Sequence, residues 1–320
     1  MCGRTACNLC REDYQKATSY FEKGEHHKPV WNDLNNDGLS FKPSNNIAPT
    51  NVTPVLVSGN HFEEFGDHSR VLAPMAWGMI PPWHKGQFNK HGLTTNNCRI
   101  ETLQTSKLYS TPFKGGKRCV ILCEGFYEWK TTKGKDTKQP YFIYMPQSDG
   151  VKVELRQNWT HASWNEEDGW SGPRLVHLAG LFNEWKSESG ETVYNYTIIT
   201  MESNKTLSWL HHRMPAILDT DKAVKEWLDF DNVSSNEAMN VLKPIEKLTW
   251  HPVSTLVNNS RNKDENCNKP LSSSKSDGKP KGAGSLLSAW LIRAPKKEDK
   301  KEDSTEDPDN TPPEKKAKFS

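Results

Sequence analysis

Arg118-Cys119-Val120-Ile121-Leu122-Cys123-Glu124-Gly125-Phe126-Tyr127-Glu128-Trp129 is a run of apolar, β-branched and aromatic residues, and it reads as strand. Val52–Ser58, Val71–Met79, Tyr141–Met145, Leu175–Trp185 and Tyr194–Met201 share the pattern. Gly, Pro and Asn punctuate these runs, as turns between strands require. Helical spacing of apolar residues is found in Arg11–Phe21, Asp221–Phe230 and Ser235–Leu242, with Thr220 placed to cap the second. Many strands with few short helices predict an α+β fold, a single β-rich domain around a curved or barrel-like mixed sheet. No internal repeat is evident in the chain.

Order is predicted to end after Asn258-Asn259-Ser260-Arg261-Asn262, giving a folded domain over 1–262 and a disordered charged tail over 263–320. A polar tail accounts for a mean hydropathy of −0.83 and a hydrophobic content of only 34%. From Arg261 onward the chain carries 14 Lys+Arg and 11 Asp+Glu, which leaves 28 and 29 in residues 1–260. The body is therefore close to neutral. That excludes nucleic-acid binding by bulk charge and demands locally placed arginines and aromatics if a strand binds. No stretch approaches the roughly 18 apolar residues of a membrane span. Met1-Cys2-Gly3-Arg4-Thr5 lacks the apolar core of a signal peptide, and seven cysteines, an odd number, fit a reducing compartment. The sequons at Asn158 and Asn232 are then expected to stay unused. The basic run Lys315-Lys316-Ala317-Lys318 fits nuclear import, and a solvated charged terminus explains it equally well.

Cys2 stands out by position. Initiator methionine is normally removed before a small residue, and the product here would carry an α-amine beside a thiol. Their unperturbed pKa values, about 7.7–8.0 and about 8.5, leave both partly nucleophilic near neutral pH. Such a 1,2-aminothiol converts an aldehyde first to an imine and then to a five-membered thiazolidine, which resists hydrolysis. A cysteine inside a chain cannot do this. By position alone, Cys2 would be no more than a frayed terminus.

Other motifs change that weighting. Met1-Cys2-Gly3-Arg4, Asn46-Ile47-Ala48-Pro49-Thr50, Trp77-Gly78-Met79-Ile80-Pro81-Pro82-Trp83 and Asn97-Cys98-Arg99-Ile100-Glu101-Thr102 occur in order. Arg118-Cys119-Val120, Glu124-Gly125-Phe126-Tyr127-Glu128-Trp129, Ala179-Gly180-Leu181 and His211-His212-Arg213-Met214-Pro215 follow. The ordered set, along roughly residues 2–260, resembles the SOS response-associated peptidase family. The resemblance implies an N-terminal cysteine that crosslinks to the ring-opened aldehyde of an abasic site in single-stranded DNA. It places the functional residues on Cys2, Asn97, Arg99, Glu128, His211 and Arg213.

Each has a physical rationale. Asn97 carries donor and acceptor, and could orient the Cys2 amine and a sugar hydroxyl; the Asn-x-Arg spacing selects it over Asn96. Strand alternation puts Glu128 on the face of Phe126, so partial burial should raise its pKa toward that of a proton shuttle. His211 can protonate the departing sugar oxygen, and the His-x-Arg-Met-Pro spacing favours it over His212. Arg4, Arg99 and Arg213 offer planar forks for phosphate. Trp83 and Trp129 are the expected base-stacking surfaces. Ala76 stands before Trp77-Gly78 where the family usually has Arg.

Cys7/Cys10 and Cys119/Cys123 do not make a matched set of zinc ligands, and no metal or cofactor is expected. In the tail, Leu287, Trp290 and Leu291 within 284–291 resemble the hydrophobic plug of a sliding-clamp (PCNA) box, although Gly284 stands where that box prefers Gln. Expected partners are thus single-stranded DNA bearing an abasic site and, through the tail, the clamp; the chain is expected to be a nuclear monomer without membrane contact. Two alternatives of different class remain: a cysteine peptidase using Cys2, Glu128 and His211 chiefly for self-processing, and a non-catalytic reader of modified cytosine.

Overall fold

Arg118–Trp129 is two strands, broken at Glu124, in a computed structural model that describes residues 2–271 apart from 35, 37, 67, 68 and 131–137. The expected clamp-binding residues Leu287, Trp290 and Leu291 lie outside the described residues. The principal strands in chain order are β1 (Thr5–Cys7), β2 (Ser44–Ile47), β3 (Val52–Ser58), β4 (Arg70–Trp77), β5 (Asn97–Arg99) and β6 (Arg118–Cys123). They continue with β7 (Gly125–Lys130), β8 (Gln139–Tyr144), β9 (Val176–Lys186), β10 (Thr192–Glu202), β11 (Arg213–Pro215) and β12 (Thr249–Pro252).

Five of these strands close a barrel. β3 pairs with β4 and with β6, β6 with β9, and β9 with β10, all antiparallel. A parallel contact between β4 and β10, Ala76 opposite Asn195 and Trp77 opposite Tyr196, completes the ring. The expected mixed, barrel-like sheet is therefore what forms, and closure removes the unpaired edges that an open sheet would expose. Every residue of β3 and of β6 is buried. Both faces of these strands are covered, which is why their sequences run apolar without alternation.

A second sheet has the order β12-β8-β7-β1-β2. The chain passes into it from the barrel at Glu124-Gly125. Glu124 is buried, its carboxylate oxygens accepting from the Asn8 N–H at 2.8 Å and from the Tyr14 hydroxyl at 3.0 Å. Gly125 faces β8 so closely that a Cβ would fall 2.4 Å from Phe142 Cζ and 2.6 Å from the Ile143 carbonyl oxygen. Only glycine fits at that point.

The helices form where expected but end earlier. The first, α1, spans Arg11–Ala17, because Lys23 and Gly24 adopt positive φ and fold Tyr20–Glu22 back on Glu25–His27 as a hairpin. Thr220 does cap the helix Asp221–Leu228, its hydroxyl accepting from the Ala223 N–H at 3.1 Å. Ser235–Met239 starts with a reciprocal capping box between Ser234 and Glu237.

The folded body runs past the expected boundary at 262. Asn46, at 0% exposure, donates through Nδ2 to the carbonyls of Asn259 and Asn262, and Asn45 reaches the Glu265 carbonyl at 2.9 Å. Cys267 is buried behind them, and the Leu271 N–H donates to the Pro252 carbonyl at 3.0 Å, so the described chain stays tied to the body through Leu271. β1 and β2 carry no strand pattern of their own, being short and, in Ser44-Asn45-Asn46-Ile47, mostly polar. Replacing Gly125 by Ala should cost about 1–3 kcal/mol through the clash with β8. Thermal denaturation followed by circular dichroism would show it, and an unchanged midpoint would refute the tight approach.

Candidate functional site

Cys2 leads into β1, and β1 lies beside β7 with Thr5 opposite Phe126. The Tyr127 N–H donates to the Arg4 carbonyl at 2.9 Å, which carries the start of the chain along β7 toward Glu128. Asn97 approaches from the barrel. It begins β5, which pairs in parallel with β10 through Asn97 opposite Ile198 and Arg99 opposite Thr200. Its Nδ2 donates to the Cys2 carbonyl at 2.8 Å, and its buried Oδ1 has no hydrogen-bond partner among the described residues. Neighbouring Asn96 is held instead by its backbone, its carbonyl accepting from Trp77 Nε1 at 2.9 Å and from the Ile198 N–H at 3.1 Å. Trp77 is itself buried and stacked on Tyr196. Of the two asparagines, it is Asn97 that reaches Cys2.

Glu128 is 5% exposed, and burial pushes its carboxyl above the usual carboxylate range. Cys2 is 1% exposed. Burial first, and the Glu128 carboxylate second, push its thiol well up, so the thiol is protonated at neutral pH. Desolvation also lowers the pKa of His211 and keeps its ring neutral. In that state Nδ1 accepts the Arg213 backbone N–H at 3.0 Å and Nε2 holds the proton. The same Nδ1 is 3.1 Å from the Arg213 carbonyl, a bond available only when Nδ1 is protonated. His212 is exposed and stacks on His211 with centroids 4.4 Å apart.

The arginines divide. Arg213 is 6% exposed, with Nη1 2.6 Å and Nη2 2.9 Å from the two Glu101 carboxylate oxygens, and Nη2 2.7 Å from the Thr200 carbonyl. Its fork is thus spent on protein groups. β5 and β11 lie on opposite edges of the end of β10, and this bidentate pair ties them together across Thr200. Arg4 donates to Asn46 Oδ1 at 2.7 Å and covers the Trp129 ring at 5.7 Å. Arg99 remains exposed. Trp83 is 58% exposed, whereas Trp129 bonds Asn258 Oδ1 through Nε1 at 2.7 Å and, by alternation, sits on the face of β7 opposite Glu128. A cleft of about 380 Å³ beside Phe21, Arg70, Lys225 and Asp229 contains none of these residues. Among the described residues, no three His, Cys, Asp or Glu side chains converge as a metal site.

Comparison with known proteins gives this arrangement a lineage. The family profile described as SOS response associated peptidase (SRAP) matches residues 1–260. The chain belongs to the SRAP family. It is 44% identical over 305 residues to the abasic site processing protein HMCES of Xenopus tropicalis, covering 93% of this chain and 88% of that one. Identity to the abasic site processing protein YoqW of Bacillus subtilis is 32% over 225 residues, 69% of this chain and 84% of the other. A solved structure from Bordetella bronchiseptica superposes with a TM-score of 0.55 at 19% identity, covering 79% of this chain and all of that one; it shows the shared fold. A second, from Bacteroides thetaiotaomicron, gives 0.54 at 21%, covering 72% and 87%.

Two features of this SRAP chain escaped the sequence pattern. Glu101 lies within a quoted motif, yet only the fold reveals its pairing with Arg213. Ala76 is buried among Val52, Ile80, Trp185 and Val193, so the position serves packing. The hydrogen bonds from Arg213 hold Glu101 below its ordinary range. The stabilisation is therefore complete above the unfolded carboxylate value of about 4.3 and is lost as pH falls through the lower folded value. Glu101→Gln should cost about 1–2 kcal/mol at pH 7, discounted because Glu101 is half exposed, and progressively less toward pH 3. Urea midpoints of the two proteins across that range would measure it; a gap independent of pH would refute the pair.

Proposed function

We propose that this chain captures abasic sites in single-stranded DNA as a covalent adduct of Cys2, formed after Met1 is removed. The observation that carries the reading is the hold of Asn97 on the Cys2 carbonyl, inside a recess where the Glu128 carboxyl is also buried. Relatives named as abasic site processing proteins, similar along most of the chain, point the same way. Such a grip orients the α-amine and thiol of Cys2 together, which is the geometry that a two-step reaction needs.

The amine attacks C1′ of the ring-opened deoxyribose aldehyde, and water leaves to give an imine. The thiol then adds across the C=N bond, its proton passing to nitrogen, and a thiazolidine results without oxidation or reduction. Glu128 is suited to relay protons because its raised pKa brings it toward neutrality. The Nε2–H of the neutral His211 ring is suited to donate a hydrogen bond to the sugar oxygen as the ring opens. An imine also promotes β-elimination. Consuming it through the thiol would protect the strand, so lyase activity should be weak. The Cys2 thiol itself argues against a peptidase: a cysteine nucleophile needs a depressed pKa, and burial with Glu128 does the opposite. An amine that attacks first does not have that requirement. Nuclear location and clamp contact through Leu287, Trp290 and Leu291 belong to the same proposal.

Intact-mass spectrometry of protein mixed with an oligonucleotide bearing one abasic site tests it, without a reducing trap. Wild type lacking Met1 should gain the mass of the oligonucleotide less one water and keep it on heating, while Cys2→Ser should not. Absence of an adduct from Met1-processed wild type would remove the proposal. For the proton roles, Glu128→Gln and His211→Ala should each slow crosslinking about a hundredfold or more and flatten one limb of the pH–rate profile. Wild-type profiles in both variants would overturn those assignments.

A further inference from the structure

The face of the second sheet that bears Glu128 continues beyond it. β7 and β8 place Glu128 opposite Tyr141 and Lys130 opposite Gln139, while β8 and β12 place Ile143 opposite Trp250 and Tyr141 opposite Pro252. Residues directly opposite, or two apart on one strand, share a face. Lys130, Glu128, Tyr141 and Trp250 therefore look the same way. Trp209, two residues before His211, closes over them. Its ring lies edge-on to Tyr141 at 5.1 Å and 5.5 Å from Trp250, with Lys130 Nζ 4.9 Å from its centroid.

We infer that Trp250, backed by Trp209 and Tyr141, is a stacking platform for bases of the strand that flanks the captured site. Trp209 is half-buried and already covered by Tyr141 and Lys130, whereas Trp250 is 37% exposed on the edge strand of the sheet. Internal packing does not require that exposure. The surrounding charge favours a polyanion: Lys130 is on the platform, Lys138 acts electrostatically on His211, and Arg99 acts on His212. Aromatic rings with focused cations are how a near-neutral protein binds a single strand. Trp129, on the opposite face of β7 beneath Arg4, is oriented away from this surface. The inference rests on the proposed capture of single-stranded DNA and adds the residues that hold its neighbouring bases.

The test pairs two readouts on the full chain. Fluorescence anisotropy measures affinity for a lesion-free single strand of roughly 12 nucleotides, and gel analysis measures crosslinking of the same strand with one central abasic site. Trp250→Ala should weaken lesion-free binding about fivefold or more, and Trp250→Phe should restore most of it. Crosslinking by Trp250→Ala should be slowed at low DNA concentration and reach the wild-type rate at saturation. A folded Trp250→Ala that binds the lesion-free strand like wild type would overturn the platform, leaving that face to some other partner. The two readings fail separately. Loss of affinity in Trp250→Ala, with no adduct from wild type, would keep the platform and remove covalent capture; a wild-type adduct with no dependence on Trp250 would do the reverse.

Discussion

The buried carboxyl of Glu124 is the constraint on which the site depends. It receives the Asn8 N–H just after β1 and the Tyr14 hydroxyl from α1, at the point where the chain leaves the barrel for the second sheet. Burial outweighs those bonds and pushes its pKa up to about 8, so the group is largely protonated at neutral pH and avoids an isolated buried charge. Gly125, which can have no Cβ beside Phe142, allows β7 to follow at once. The two devices together set β1 against β7, and with it Cys2 near Glu128. Neither residue is a candidate for the proposed chemistry; both sit at the junction that brings β1 alongside β7.

From that junction, the site is assembled by parts that the chain keeps far apart. The second sheet delivers Cys2 and Glu128, and the barrel delivers Asn97 on β5 and His211 before β11. Arg213 and Glu101 lock the two barrel segments across the end of β10. Desolvation governs the protonation of the whole group. It raises the Cys2 thiol and the Glu128 carboxyl and lowers His211, so each is biased toward its neutral form. Neutral groups at desolvated positions favour reactions that move protons between neighbours over those that need a standing thiolate.

Legibility was uneven for physical reasons. The strands of the barrel could be read because complete burial imposes unbroken apolar runs, as in β3 and β6. The break at Glu124 could not, since a continuous run does not reveal where it changes sheets. β2 was invisible because its polar side chains are satisfied by carbonyls of residues 259–265, more than two hundred positions away. The same contacts carry folded chain past residue 262. Arg213 reads as a phosphate fork until Glu101 is found in front of it. Tyr141 and Trp250 are scattered aromatics until the register of three strands sets them on the face of Glu128, where Trp209 packs against both.

What the sequence determined by itself was the kind of fold, the family and a set of candidate residues. Burial patterns are local, and motif spacing distinguishes Asn97 from Asn96 and His211 from His212. What only tertiary structure decided was the set of partners: which arginine is spent on protein, which aromatics share the face of Glu128, and which distant carbonyls satisfy Asn45 and Asn46. Those outcomes depend on strand register and on hydrogen bonds between distant segments, and neither leaves a periodic trace along the chain.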